Sequence, residues 1–302
     1  MDGDRRVAMR AGIIGRPAIL VAVLIGLAAG LGRLWTRVEG WRLDALPAVY
    51  GSLEDIHTTT ALVVRDETLL AAPAGGRVTL LVEEGTRVRT QAVIASVETT
   101  RGERLVRAPR PGTVFWHWDG WERFATSAAV FERSPDQWRE ARFEGGRMQD
   151  GQEIESGRPL ARLVNSHAVY LYVSLRERDV LEPEQTIAVR LPAVSGDELR
   201  ARVVAVRNRP QAALLELDRY VPVLDSARWV EAELVLARYK GVAIPLAAVV
   251  WVDGEPGVFL RQETGVTFRA VRLGPKVNER VIVEGIAPGE TVVGNPSRVR
   301  RP

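Results

Sequence analysis

Apolar residues recur along this chain in short alternating runs, and one such arrangement occurs twice. The first copy is Ala72-Pro73-Ala74-Gly75-Gly76-Arg77-Val78, continuing at Gly85-Thr86-Arg87-Val88-Arg89-Thr90-Gln91-Ala92-Val93-Ile94. The second is Ala108-Pro109-Arg110-Pro111-Gly112-Thr113-Val114, continuing at Gly151-Gln152-Glu153-Ile154-Glu155-Ser156-Gly157-Arg158-Pro159-Leu160. Overlaying Gly85 on Gly151 places Val88 on Ile154, Gln91 on Gly157, Ile94 on Leu160 and Val97 on Leu163. An internal repeat constrains architecture more than any single segment does. Val78, Leu80 and Val82 keep a period of two, which predicts strands. Gly85 and Gly151 sit where a turn needing positive φ belongs. Neither copy can bury its apolar face alone, so the two are expected to pack face to face as a small sandwich.

Strands are also expected over His57–Leu70, where Thr58-Thr59-Thr60 and Val63-Val64 supply β-branched residues. From Ala168 the alternation is clean: Val169, Leu171, Val173 and Leu175 point one way, Tyr170, Tyr172 and Ser174 the other. Further strands are expected at Thr186–Leu191, Leu199–Arg207, Ala213–Asp218 and Val230–Ala237. Turn signals separate them at Pro183, Ser195-Gly196-Asp197, Asn208-Arg209-Pro210 and Leu224-Asp225-Ser226, and a short helix is expected at Glu177–Leu181. That spacing predicts a small barrel.

One apolar run is different. Pro17 to Gly32 is 16 residues without charge, flanked by Arg16 and Arg33. Extended to Ala11 and Trp35, with Arg16 snorkelling, it reaches a spanning length, and Trp35 and Trp41 suit the interface. No Ala-x-Ala site follows, which favours an uncleaved anchor over a cleaved signal peptide. Residues 36–55 read as a linker.

Composition narrows the chemistry. There is no cysteine, so there is no disulfide framework and no thiolate metal site. Forty-one basic residues interleave with 38 acidic ones, unlike the clustered Lys/Arg of a nucleic-acid surface. His57, His117 and His167 lack metal-ligand spacing, and no phosphate loop or Gly-x-Ser-x-Gly appears. Glu83 and Glu84 are strand neighbours and point to opposite faces. No catalytic residue, metal ligand or cofactor site is assigned, and no enzyme activity is expected.

Within the second copy, residues 115–148 are extra. Phe115-Trp116-His117-Trp118-Asp119-Gly120-Trp121-Glu122-Arg123-Phe124 reads as a tight hairpin turning on Asp119-Gly120. It would set Trp118 opposite Trp121, Trp116 opposite Arg123 and His117 opposite Glu122. Ser134-Pro135-Asp136-Gln137 reads as a capped helix start, with Gly145-Gly146 as its stop. Trp116, Trp118, Trp121 and Arg123 form either a satellite core beneath that helix or a contact surface for a partner.

The repeat resembles the two halves of a biotinyl/lipoyl-type domain. In such carriers the turn between halves bears a modified lysine. Here that stretch, Ser96-Val97-Glu98-Thr99-Thr100-Arg101-Gly102-Glu103-Arg104, has none, and the only lysines are Lys240 and Lys276. The whole chain resembles the membrane fusion proteins, or periplasmic adaptors of the HlyD type, in a variant without their α-helical hairpin. The stretch Val242-Ala243-Ile244-Pro245-Leu246-Ala247-Ala248-Val249-Val250 is similar to the family's entry to its membrane-proximal domain. Later stretches, Gly257–Leu260, Arg269–Gly274 and Val283–Val293, follow in the family's order.

The resemblance implies a mainly β protein: a cytoplasmic stub and transmembrane anchor over 1–35, a lipoyl-like sandwich over 56–167, a β-barrel over 168–240 and a membrane-proximal β-domain over 241–302. It implies a single-pass protein of the cytoplasmic membrane with its bulk outside the cytoplasm. Such a protein would scaffold an efflux or secretion transporter of ABC or RND type and oligomerise into a ring. The alternative is a structural cell-envelope or division-associated protein that uses the same fold without a transporter.

Overall fold

The computed structural model describes residues 44–193, 195–263 and 265–298. The expected anchor over 1–35 lies outside the described residues. Among the described residues no helix is long and apolar enough to cross a membrane.

The described chain is mainly strand. In order these are β1 (Ala45–Pro47), β2 (Val49–Ala71), β3 (Gly76–Leu80), β4 (Arg87–Val88), β5 (Val93–Thr99), β6 (Gly102–Arg107), β7 (Gly112–Phe115), β8 (His117–Trp118), β9 (Gly146–Arg147), β10 (Glu153–Ile154), β11 (Pro159–Ser174), β12 (Thr186–Leu191), β13 (Ser195–Asn208), β14 (Gln211–Leu217), β15 (Trp229–Pro245), β16 (Val249–Val252), β17 (Glu255–Gln262), β18 (Gly265–Ala270), β19 (Arg272–Val277), β20 (Arg280–Glu284) and β21 (Thr291–Val293). One α-helix, α1 (Pro135–Glu140), lies between β8 and β9. Two compact units divide the chain, one of residues 44–53 with 239–298, the other of residues 54–238.

In the larger unit the two sequence copies interlock. β3 of the first copy pairs with β10 of the second, and β4 of the first with β7 of the second. The closing hydrogen bonds repeat across the pair. Gly85 N donates to Val114 O and Gly151 N to Val78 O, both at 2.8 Å. Gln91 N donates to Ala108 O at 2.7 Å, and Gly157 N to Ala72 O at 2.9 Å. The overlaid turn residues share their backbone too: φ is +84° at Gly85 and +75° at Gly151, +66° at Gln91 and +80° at Gly157. Val78, Ile94, Val97, Val114, Leu160 and Leu163 fill the common core. The face-to-face sandwich expected from the repeat is therefore formed by strand exchange between its halves.

Between β5 and β6 the chain turns at once. Thr99 pairs with Gly102, and Thr99 Oγ1 accepts from Arg101 N at 3.1 Å. A tight hairpin thus stands where the resemblance would otherwise have placed a long helical one.

Past residue 165, β2 and β11 continue out of the sandwich through a register shift between Asn165 and Val169. Six strands then pair in the cyclic order β12-β13-β14-β11-β2-β15 and back to β12. Their inward residues, among them Ala61, Val63, Leu171, Val189, Val203, Leu215 and Leu234, make a second core. The expected helix at Glu177–Leu181 is instead a single turn. The Asp179 carboxylate takes Arg176 N at 2.9 Å and closes it, and one turn is too short to propagate. The expected turn at Ser195-Gly196-Asp197 lies within β13.

The smaller unit is built on the sheet β1-β21-β17-β16, with β18 on β17, and on the β19–β20 pair joined to the end of β15. Ala48, Val242, Ile244, Val258, Leu260, Val281, Val283 and Val292 form its core. Residues 45–47 and 49–55, expected as linker, are strand: β1 pairs with β21 from Ala45 to Pro47.

Candidate functional site

The insert in the second copy departs from its expected local structure. β8 pairs with β9, His117 opposite Arg147 and Trp118 opposite Gly146, so the Asp119-Gly120 hairpin is not formed. Asp119 Oδ1 accepts from Trp121 N at 3.1 Å, and Asp119 N donates to Glu122 Oε1 at 3.0 Å, which closes a compact loop instead. α1 begins as expected, with Ser134 and Gln137 in a reciprocal capping box and Pro135 in the first turn. It ends at Glu140, before Gly145-Gly146. The glycine pair has another use. A Cβ on Gly146 would overlap the Trp118 ring, so its absence lets that ring lie across the strand.

Trp116 and Trp121 are core residues at 4 % and 8 % exposure, and they belong to different cores. Trp116 joins the sandwich interior and donates from Nε1 to Val82 O at 3.1 Å. Trp121 packs with Trp138, Phe143 and Trp229, ring centroids 5.5, 4.8 and 5.9 Å away. That cluster rests on Leu62, Val64, Tyr172, Ala212 and Leu214 of the barrel wall. The insert therefore roots in the sandwich and caps the barrel. Trp118 is half-buried, and Arg123 is exposed beside Phe124. The structure does not gather these four residues on one surface, and it places the two buried tryptophans out of a partner's reach.

A group that sequence reasoning missed lies where sandwich and barrel meet. Arg65 and Arg162 are 1 % and 0 % exposed, and the Glu67 side chain is 1 % exposed. Arg65 Nε is 2.6 Å from Glu67 Oε1, and its Nη1 donates to the carbonyls of Leu224 and Ala227. Arg228 Nη2 donates to Glu67 Oε2 at 2.8 Å and to Asp119 Oδ1 at 3.0 Å, while its Nε donates to Asp119 Oδ2 at 2.8 Å. Arg162 Nη1 is 3.7 Å from Glu67 and 3.8 Å from Asp119, and its guanidinium stacks 5.1 Å from the Phe115 ring centre.

The chain of contacts runs on to solvent. Arg162 Nη2 donates to His117 Nε2 at 3.1 Å. A guanidinium has no acceptor, so Nε2 accepts at that contact, and on the other side of the ring Nδ1 faces Glu84 Oε1 at 2.5 Å. Glu84 also accepts from Arg147 at 2.6 Å. Of the acidic pair noted in the sequence, Glu84 thus fastens the insert's root to the matching loop of the first copy.

The charges respond to this burial. Desolvation brings the Arg65 pKa down to about 10, against the opposing pull of Glu67. Burial works against the Asp119 carboxylate, but Arg228 and Arg162 outweigh it and hold its pKa below the ordinary value. Burial raises that of Glu122; backbone N–H groups resist the rise, and the Asp119 and Glu67 carboxylates reinforce it. Glu67, Asp119 and Glu122 bring carboxylate oxygens within 4.8 Å of one another, a spacing that could hold a cation. Arg228 already occupies the oxygens of two of them, and Arg65 and Arg162 stand at the same carboxylates. A divalent ion would meet three fixed positive charges, so the donor set suits a guanidinium–carboxylate network rather than a metal.

Residues 67–165, the interlocked sandwich with its insert, match the family model described as an RND related, barrel-sandwich hybrid domain. Residues 242–298 match the CzcB C-terminal circularly permuted SH3-like domain. The chain belongs to the periplasmic adaptor family. No curated protein sequence matches this adaptor. Among solved structures it is similar to MacA from Actinobacillus actinomycetemcomitans, at 12% identity and TM-score 0.45, covering 81% of this chain and 97% of that one. ZneB from Cupriavidus metallidurans is similar at 12% identity and TM-score 0.39, with 84% of this chain and 92% of that one covered. The periplasmic adaptor protein EmrA is similar at 9% identity and TM-score 0.40, over 62% of this chain and 99% of that one.

Proposed function

We propose that this adaptor scaffolds an efflux or secretion transporter from the outer side of the cytoplasmic membrane, without turnover of its own. The observation that carries the reading is the order of parts. An interlocked sandwich that lacks an attachment lysine leads into a barrel, and an SH3-like module follows. Without that lysine the sandwich cannot carry lipoate or biotin, so the fold serves as a docking body. The modules are taken as 56–167, 168–240 and 241–302, tethered through a single-pass anchor over 1–35. The partners are a transporter of ABC or RND type in the same membrane and further copies of the chain in a ring. On the insert, Arg123, next to Phe124, and the half-buried Trp118 are the partner-facing candidates, because Trp116 and Trp121 are committed to cores.

Cross-linking in cells followed by mass spectrometry tests this. The expected result is recovery of a transporter subunit together with copies of the adaptor. Recovery of wall- or septum-assembly proteins and no transporter would transfer support to the structural-envelope reading. The tight Thr99–Gly102 turn favours that second reading to this extent: between β5 and β6 there is no long hairpin with which to reach a distant duct.

A further inference from the structure

Two strands, β2 and β11, carry the chain between sandwich and barrel, and both are irregular at the crossing. Strands alone would bend there. Three further ties cross the same point. The insert caps the barrel wall through Trp121 and Trp138. Asp225 accepts from Thr113 Oγ1 of β7 at 3.1 Å and from the Tyr220 hydroxyl at 2.8 Å. The third is the buried network, whose six members come from four segments. Arg65 and Glu67 lie either side of the crossing in β2, Arg162 in β11, Asp119 and Glu122 in the insert, and Arg228 just before β15.

Within that network Glu122 is the odd member. It is 5 % exposed and accepts a hydrogen bond from the backbone N–H of Asp119 at 3.0 Å. The charged groups beside it are the Asp119 carboxylate on its own loop and Glu67 on β2; paired with those two are Arg65 on β2, Arg162 on β11 with His117 behind it, and Arg228. We propose that Glu122 makes the joint between sandwich and barrel a pH-sensitive lock. With its carboxyl protonated, the two move as one body; with it ionised, three carboxylates within 4.8 Å of one another crowd and the joint loosens.

The direction follows from linkage. Burial and two neighbouring carboxylates raise the Glu122 pKa above its unfolded value. A carboxyl of this kind holds its proton more tightly when folded. Its stabilising contribution is complete below the ordinary carboxylate range and is lost as pH rises through the folded value. The lock is therefore tightest below the ordinary carboxylate range and loosens as pH rises through the folded value.

Hydrogen–deuterium exchange on the full chain, corrected for the intrinsic effect of pH, tests this. Peptides over 116–125 and 222–230 are the reporters, and β5 serves as the internal reference. The wild type should lose protection several-fold at the joint, but not at β5, between buffer at the ordinary carboxylate range and mildly alkaline buffer. Glu122→Gln keeps the bond from Asp119 and should show constant protection at the joint. Constant protection in the wild type, or the same loss in Glu122→Gln, overturns the proposal. Should Glu122→Gln fail to fold, Asp119→Asn decides. It removes one carboxylate beside Glu122 and should move the wild-type transition to lower pH. A transition that does not move counts against the lock.

Discussion

The two halves of the sandwich share one backbone plan and differ in a single link. In the first half, residues 81–86 join β3 to β4. In the second, residues 116–152 join β7 to β10, with β8, α1 and β9 inside. The hydrogen bonds that close the halves are reciprocal, and the turn residues correspond one to one. The plan is evidently insensitive to what is spliced into that link. Loop-closure entropy grows only slowly with length, so a long insert is tolerated where it brings its own core. Here it does: its aromatic residues pack on the barrel, and its Asp119 meets Arg162 of β11 and Arg228 just before β15. The short link leaves the sandwich a sandwich, whereas the long one fastens it to its neighbour.

If the fastening is electrostatic as well as apolar, its charged centre should give the largest effect. Glu67→Ala leaves Arg65, Arg162 and Arg228 facing a lost buried counter-charge. A cost of about 3–5 kcal/mol is expected in urea unfolding. A cost under about 1 kcal/mol would mean that water already screens the network. Trp138→Ala tests the apolar part. Trp138 is 1 % exposed and donates to Val130 O at 2.7 Å, and truncation should cost about 3–5 kcal/mol. Both losses should appear in exchange at 116–125 before they reach the sandwich core.

The likeness of the halves is tested by matched glycines. Gly76 and Gly112 correspond in the repeat. A Cβ on Gly76 would run into Glu98 O, and one on Gly112 would lie 2.7 Å from Val164 O. Glu98 and Val164 are themselves equivalent positions. Gly76→Ala and Gly112→Ala should each lower stability by about 1–3 kcal/mol, Gly76 more, since its φ of +156° adds to the closer approach. A neutral result at one position alone would show that the halves are not energetically matched. Ser134→Ala, which removes the cap of α1, should cost about 1 kcal/mol and leave the repeat untouched.

Much of this plan was legible because it is local or repeated. Gly85 and Gly151 announce turns by type, and Val78, Ile94 and Leu163 announce faces by spacing. Thr186–Leu191 is bounded by its own turn signals and appears as read. The insert was misread for the opposite reason. Asp119-Gly120 is a good local hairpin signal, but Trp121 gains more by burial against Trp138, Phe143 and Trp229, which lie up to 108 residues further along. The charged joint was missed altogether. Its members are scattered from Arg65 to Arg228, and no window of sequence contains them. The one local trace is an arginine inside an apolar stretch, Arg162 between Ala161 and Leu163 and Arg65 after Val63-Val64, where an exposed strand would not need its neighbours buried.

The smallest effect expected is also the most direct comparison of the halves. At one equivalent turn the second half has Gly157, φ +80°, and the first has Gln91, φ +66°. Both amides donate into the facing half, Gly157 to Ala72 and Gln91 to Ala108, so the backbone cannot relax without losing a closing bond. A side chain in left-handed backbone costs about 1–2 kcal/mol, and the first half bears that strain while the second does not. Gln91→Gly should relieve it, offset by the greater freedom glycine gives the unfolded chain. The net gain expected is up to about 1 kcal/mol in urea unfolding. Gly157→Gln should lose a similar amount. If Gln91→Gly destabilises instead, the Gln91 side chain contributes something at that turn that its counterpart lacks, and the halves differ in more than their links.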